Sequence, residues 1–248
     1  MRLAHVSDLH FGRIRDKRVT SALREDIDRQ GCDAVVVTGD LTQRARVWQF
    51  SAAMRWLHTL RQPMLVIPGN HDVHAWWHRP DLRLRDPLRR YQRMVTDDLQ
   101  PTLEITGLSV LGVNSAYGRT IKGGYCAPGV ARRVGEYFAA RPEDCVKILA
   151  VHHPLTQLQG LEAAHGGRAV LEAALLAGVD VVCCGHGHIA QVVRGAHEGL
   201  LISLAGTATS SRWRAPQEGA NSWHLIESAD GGLNISTRTY DTDAGRFE

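Results

Sequence analysis

The chain predicts an α/β protein whose first part forms a largely parallel, right-handed sheet. Five short apolar runs read as buried strands. Stretches of helical periodicity separate them, which is the rhythm of a parallel sheet with crossover helices. Beyond residue 190 the pattern turns to short strands divided by Gly-containing turns. A second sheet packed on the first is the simplest way to bury that tail.

The elements follow in order. Residues 3–7 form the first strand, followed by a polar loop with Gly12. Residues 19–30 have helical spacing, and Gly31 supplies the stop. The second strand spans 34–38. A helix over 48–61 places Phe50, Met54, Leu57 and Leu60 on one face, with Pro63 to end it. Residues 64–67 are the third strand, and residues 73–100 read as a variable cap loop. Residues 103–111 alternate and turn at Thr106-Gly107, a hairpin. A helix over 128–140 leads to the strand at 148–151, and one over 167–177 leads to the strand at 179–184. In the tail, 191–194, 200–205, 222–227 and 233–240 read as strands, with Gly231-Gly232 as a hairpin turn. No linker, repeat or low-complexity segment divides the chain, so a single domain over 1–248 is expected, with a β-rich tail over 191–248. His5, inside a strand, reads as a hydrogen-bonded core histidine.

Composition narrows the function. The chain has 248 residues, 44% hydrophobic and 22% charged, which is ordinary for a water-soluble protein. No apolar stretch reaches membrane-span length and no signal-peptide pattern precedes the first strand, so a cytoplasmic address and no membrane partner are expected. The five cysteines are odd in number and two are adjacent, which argues against a disulfide framework; no C-x-x-C pair suggests structural zinc. A net charge of +3 gives too weak a field to argue for nucleic acid. Residues 74–93 are the local exception, with Arg79, Arg83, Arg85, Arg89, Arg90 and Arg93 against Asp81 and Asp86, and Trp76 and Trp77 at the start. They read either as a solvated helical face or as a basic, aromatic wall for a phosphorylated substrate.

The strand ends carry the chemistry. The first run stops at Asp8 and His10, the second at Gly39-Asp40, and the third at Gly69-Asn70-His71-Asp72. The fourth stops at His152, and the fifth at Gly185-His186-Gly187-His188. Ligands bind beyond the carboxyl ends of strands in open α/β sheets, so two Asp, an Asn and several His are expected along one edge of one sheet. That is the inventory of a two-metal hydrolytic site. If extended geometry continues past the strand ends, Asp8 with His10 and His186 with His188 each point to one side.

These motifs, D-x-H, G-D, G-N-H-[DE], H and G-H-x-H, stand in the order found in the calcineurin-like metallophosphoesterases, which the chain resembles over about residues 2–190. The segment from Gly206 to Ser211, followed by Asn221-Ser222-Trp223, looks like the bacterial class III cyclic-nucleotide phosphodiesterase branch. The resemblance implies a four-layer α/β/β/α sandwich of two mixed sheets flanked by helices. It implies one metal held by Asp8, His10, Asp40 and His188, and another by Asp40, Asn70, His152 and His186, with Asp40 bridging. Mixed nitrogen and oxygen ligands suit Mn, Fe or Zn. His71 is implied as the catalytic group at the departing alkoxide. Asp72 either orients His71 or serves the turn. His153 is assigned to the surroundings of the site, with substrate contact as one role, and Trp76 to the substrate wall. Arg13 and Arg44 follow the first two motifs and either touch substrate phosphate or lie on the surface.

The function implied is a dinuclear metal phosphodiesterase in which a metal-activated hydroxide attacks a small nucleotide-like substrate, such as a 3′,5′-cyclic nucleotide. A nuclease, a phosphomonoesterase or protein phosphatase of the same superfamily, and a non-catalytic scaffold are the alternatives. Nucleic acid is not favoured as a partner, and a homodimer stays open.

Overall fold

The computed structural model describes residues 1–158, 160–197, 199–229 and 232–248. The chain runs β1 (Arg2–Val6), α1 (Lys17–Arg29), β2 (Ala34–Thr38), α2 (Val47–Leu57), β3 (Met64–Ile67), α3 (Pro80–Arg85) and α4 (Arg89–Met94). It continues through β4 (Thr102–Ile105), β5 (Leu108–Val113), α5 (Val130–Ala139), β6 (Val146–Val151), α6 (Gly167–Leu176) and β7 (Val181–His188). The last strands are β8 (Gln191–His197), β9 (Leu200–Gly206), β10 (Ser222–Ala229), β11 (Gly232–Asp241) and β12 (Arg246–Phe247).

Two mixed six-stranded sheets result, ordered β12-β11-β10-β1-β2-β3 and β4-β5-β6-β7-β9-β8. Within the first, β1, β2 and β3 are parallel; within the second, β5, β6, β7 and β9 are. The expectation of one ligand-bearing sheet is therefore corrected. Asp8, Asp40 and Asn70 follow strands of the first sheet, and His152, His186 and His188 follow or end strands of the second. The tail is also not a sheet of its own. Its strands β8 and β9 complete the second sheet, and β10 to β12 complete the first. Local patterns mark strands but not their partners, which long-range burial selects. Gly231 of the Gly231-Gly232 signal lies outside the described residues, while β10 and β11 on either side pair antiparallel.

Period-two alternation explains the layers. Along β2, Val35 and Val37 join the cluster under α1 and α2, while Ala34 and Val36 face a second cluster between the sheets. That inner cluster joins Leu3, Val36 and Ile67 of one sheet to Val110, Ile148 and Val181 of the other. Val134 and Phe138 of α5 and Leu171 of α6 close the outer face of the second sheet. Four layers follow, as the family resemblance implies. Burying each such Val or Leu contributes about 1.5–3 kcal/mol.

The helix ends have local causes. Asp16 caps α1 by accepting from Arg18 N at 2.7 Å and Val19 N at 3.1 Å. The second helix stops at Leu57, four residues before the expected end at 61. Thr59 Oγ1 donates to the Trp56 carbonyl at 2.7 Å, and the chain leaves through tight turns before reaching Pro63. The cap contains two short helices rather than one basic face, because Asp86 precedes Pro87 and is forced out of the helical region.

One polar chain crosses the apolar layer between the sheets. Buried His5 meets Thr38 Oγ1 through Nε2 at 2.9 Å and Ser203 Oγ through Nδ1 at 2.7 Å. Ser203 Oγ also meets His224 Nδ1 at 2.7 Å. His5 is the satisfied core histidine the sequence suggested. Burial, then the neighbouring His224, hold its pKa well below the ordinary value, and burial lowers that of His224 to about 4.

Candidate active site

The five strand ends converge at the carboxyl edges of the two sheets. Asp8, His10, Asp40 and His188 form one fully buried group, and His152, His153 and His186 form another; within each group the donor atoms lie within 4.8 Å of one another. Convergence does not come from extended backbone. Asp8, His10, Asp40, His186 and His188 all have left-handed φ, between 47° and 68°. Non-glycine residues rarely hold that conformation, and it concentrates at functional sites. Asp8 and His10 reach a common point because the chain turns sharply at each. A register shift between Cys184 and His188 does the same for the last pair.

Two glycines permit this density. A Cβ on Gly69 would collide with the Asp40 carboxylate and backbone, and one on Gly185 would collide with the Ser7 hydroxyl and stand 2.6 Å from Asp8 Oδ2.

The hydrogen bonds decide which atoms remain free. Asp8 Oδ2 accepts from Ser7 Oγ at 2.6 Å and His186 N at 2.9 Å, leaving Oδ1 buried with no donor. Asp40 Oδ1 accepts from His71 N at 2.8 Å, leaving Oδ2 buried with no donor. His188 Nδ1 donates to the Arg212 carbonyl, and His152 Nδ1 to the Thr38 carbonyl at 2.6 Å. A carbonyl can only accept, so in the neutral rings both Nε2 atoms present lone pairs. For His152, burial opposes charge, but the neighbouring Asp40 and Asp8 raise the pKa, so the free ring competes for a proton at the place a cation would occupy. His188 Nε2 then stands 3.0 Å from Asp8 Oδ1 and 3.1 Å from His10 Nε2. His152 Nε2 stands 3.2 Å from Asn70 Oδ1 and 3.5 Å from Asp40 Oδ1, and His186 Nδ1 is 3.0 Å from Asn70 Oδ1. Carboxylate, amide and imidazole lone pairs facing one another in a dry site repel unless a cation sits among them. The residues therefore fit two metal ions, and the mixed N/O donor set fits transition metals better than Ca²⁺.

With no metal bound, the imidazoles are the source of positive charge for the two carboxylates. Burial opposes ionisation of Asp8 and Asp40. The imidazoles of His188 and His10 beside Asp8, and of His152 and His71 beside Asp40, outweigh it and hold both carboxyls well down. Burial keeps His10 neutral, its pKa lowered to about 4.

Beside this centre lies a cleft of about 420 Å³, within the range of small-molecule sites. His71 is on its wall. Its Nδ1 donates to the Gln43 carbonyl at 2.8 Å, so Nε2 is the free nitrogen, and burial lowers its pKa. Arg44 and Trp76 line the cleft. The Arg44 guanidinium sits 4.9 Å from the Trp77 ring, and Arg83 sits 5.1 Å from the Trp76 ring.

For three residues left with two readings, the structure matches the structural one and not the catalytic or substrate-binding one. The Asp72 carboxylate does not reach the His71 ring. It accepts from Gly69 N at 3.0 Å, Leu41 N at 3.1 Å, Thr42 N at 2.9 Å and Thr42 Oγ1 at 2.9 Å, so it serves the turn by tying two ligand loops together. His153 is not on the cleft wall. It is buried behind His186, with Nδ1 on Ser115 Oγ at 2.8 Å. Arg13 is exposed and outside the cleft; its carbonyl accepts from Ser211 N at 3.1 Å. Sequence reasoning also missed Arg212 and Arg214, which line the cleft from the loop after β9. The small-residue run ahead of them drew notice, but irregular backbone gives its side chains no readable period.

Residues 1–190 match the family model described as calcineurin-like phosphoesterase. The chain is 24% identical, over 99% of its length and 94% of the relative's, to the probable cyclic nucleotide phosphodiesterase of Synechococcus sp.. A shorter stretch of 85 residues, 30% of the chain, is 39% identical to the glycerophosphodiester phosphodiesterase GpdQ of Enterobacter lignolyticus and spans only 31% of that protein. Among solved structures, a dimetal phosphatase from Danio rerio is similar in fold, with a TM-score of 0.66 at 13% identity, over 97% of this chain and 99% of that one.

Proposed function

Since the chain belongs to the calcineurin-like phosphoesterase family, we propose that it is a dinuclear-metal phosphodiesterase acting on a small nucleotide-like diester, the class that includes 3′,5′-cyclic nucleotides. The observation that carries this reading is the two donor clusters at the floor of the cleft, with Asp40 between them: its Oδ2 is 3.5 Å from His10 Nε2 in one, and its Oδ1 is 3.5 Å from His152 Nε2 in the other. Asp8, His10, Asp40 and His188 would hold one ion; Asp40, Asn70, His152 and His186 would hold the other. Bound there, the ions supply Lewis-acid polarisation of the phosphoryl group and acidify water.

The chain's own residues account for the rest. Asp40 uses both oxygens, one toward each cluster. His71 offers Nε2 to the substrate while the Gln43 carbonyl fixes its tautomer. The resting ring is neutral, and the negative charge of an arriving diester raises its proton affinity, which suits a donor to the leaving alkoxide. Arg44 answers phosphate charge, and the exposed Trp77 and Ile121 give the mouth of the cleft flat apolar surface for a base. Full-length similarity to a probable cyclic nucleotide phosphodiesterase supports the nucleotide-like substrate.

No helix among the described residues is long and apolar enough to cross a membrane. Five free thiols support a reducing, cytoplasmic setting as part of this reading. The test is hydrolysis of bis-p-nitrophenyl phosphate by protein loaded with Mn²⁺, followed by a panel of cyclic nucleotides, dinucleotides, glycerophosphodiesters and single-stranded DNA. Turnover of small nucleotide diesters above the rest supports the reading. A metal-loaded protein that cleaves no diester overturns it.

A further inference from the structure

The loop between β9 and β10 is pinned to the backbone that carries the first metal-binding motif. Thr207 Oγ1 donates to the Asp8 carbonyl at 2.7 Å, and Thr209 Oγ1 to the Leu9 carbonyl at 2.7 Å. Asn221 Nδ2 donates to the carbonyls of Thr207 at 3.2 Å and Ser210 at 2.8 Å, and Ser210 Oγ accepts from Arg212 N at 3.2 Å. The Arg212 carbonyl orients His188. Below them, Arg15 donates to the Gly219 carbonyl at 2.7 Å and lies against the Trp213 ring.

This scaffold holds the half-buried side chains of Arg212 and Arg214 in the wall of the cleft. Arg212 Nε is buried with no hydrogen-bond partner, and the opposite charges that bear on it are Asp40 and Asp8, across the site. Arg83 also reaches the cleft, but its guanidinium is engaged by the carbonyls of His74 at 2.7 Å and Thr120 at 2.6 Å. Arg44, Lys122, Arg212 and Arg214 remain. Of the acids among the described residues, only Asp40 lines the cleft, with Asp8 buried. Metal ions add further positive charge. A single diester linkage carries one negative charge and leaves most of this unanswered.

We propose that Arg212 and Arg214 form an anion subsite beside the metal centre, which selects small nucleotide substrates carrying a second phosphate next to the scissile diester. The inference rests on the phosphodiesterase reading and narrows its substrate. Two preorganised guanidiniums on one phosphate give charge-assisted hydrogen bonds, for which a preference of about ten- to a hundredfold is expected.

The test compares two dinucleotides that share one scissile bond, the 5′-phosphorylated pApA and the unphosphorylated ApA, with Mn²⁺-loaded protein at fixed ionic strength. pApA is expected to have the higher kcat/KM by that factor. In Arg212→Gln and Arg214→Gln, which keep the backbone carbonyl on His188, the ratio should fall toward one, with elemental analysis confirming two bound metals. Calorimetric binding of adenosine 3′,5′-bisphosphate against AMP gives the same ratio without turnover. Equal kcat/KM for pApA and ApA, or a ratio that survives both substitutions, overturns the subsite while leaving the phosphodiesterase reading intact. Failure to cleave bis-p-nitrophenyl phosphate or either dinucleotide, with two metals bound, overturns that reading and the subsite with it.

Discussion

At the residue scale, Asp40 stands between the two clusters, 3.5 Å from His10 on one side and 3.5 Å from His152 on the other. Asp40→Ala is expected to lower kcat/KM on bis-p-nitrophenyl phosphate by at least about a hundredfold and to reduce the metal bound per chain, read by elemental analysis. His71 is separable from the ligands. Its imidazole matters most when the leaving group needs a proton, so His71→Gln should cost about 10²- to 10⁴-fold on an alkyl leaving group and much less on p-nitrophenolate. A uniform loss on both would reassign His71 to phosphate binding. Gly69→Ala tests the packing around Asp40. The added methyl must displace a buried carboxylate and its backbone. The expected result is a drop of several degrees in melting temperature together with loss of metal, since an overpacked core costs about 1–3 kcal/mol.

Residue identity at the strand ends was the most legible part of the site, because apolar runs stop abruptly at polar side chains. The role of Asp72 was not. Four donors claim its carboxylate, and three belong to Leu41 and Thr42, about 30 residues away, which no local spacing reports. The sharp turns at Asp8 and His10 were hidden for the same reason, since their left-handed φ is enforced by the site and not by residue type.

At the element scale, the His5–Ser203–His224 chain ties β1, β9 and β10, and through Thr38 also β2. Its effect on stability has a definite sign. His224 has a folded pKa lowered to about 4, below its unfolded value near 6.5, so the unfolded chain binds the extra proton between those limits. Its stabilising neutral form is fully present above pH 6.5 and is lost as pH falls toward 4. Each such histidine contributes a slope of about 1.4 kcal/mol per pH unit in that window. Urea unfolding from pH 7 to pH 5 should therefore show a slope shallower by about that amount in His224→Gln than in the unaltered protein. An unchanged slope would mean that His224 titrates normally.

Most helix and strand positions were legible from period and punctuation, and several strands match within a residue or two. Sheet membership was not. β6 and β7 are apolar strands buried on both faces, as β1 and β2 are, so nothing local assigns them to a different sheet. The two-residue β12 is too short to show alternation, and Asp86-Pro87 broke an apparent helical face that charge spacing alone had suggested.

At the scale of the whole molecule, metal and fold are thermodynamically linked. Ions that bind the folded chain and not the unfolded one stabilise it by RT ln(1 + [L]/Kd), about 2.7 kcal/mol at a hundredfold excess over Kd. Chelation should lower the melting temperature by several degrees and abolish diester hydrolysis, and both should return on adding Mn²⁺. Activity unaffected by exhaustive chelation, with metal shown to be absent, would contradict the dinuclear assignment.

With the proposed ligands divided between two sheets, a bound metal pair would act as a cross-brace. Asp8, Asp40 and Asn70 hang from one sheet, and His152, His186 and His188 from the other, with an apolar cluster and the His5–Ser203–His224 chain between the sheets. Sliding of one sheet over the other would open those coordination shells while the strand pairs, each lying within one sheet, stayed intact. Metal affinity in this protein is thus a gauge of alignment. Trimming Ile67 or Ile148, both in the apolar cluster between the sheets, should register first as weaker metal binding and only later as loss of secondary structure.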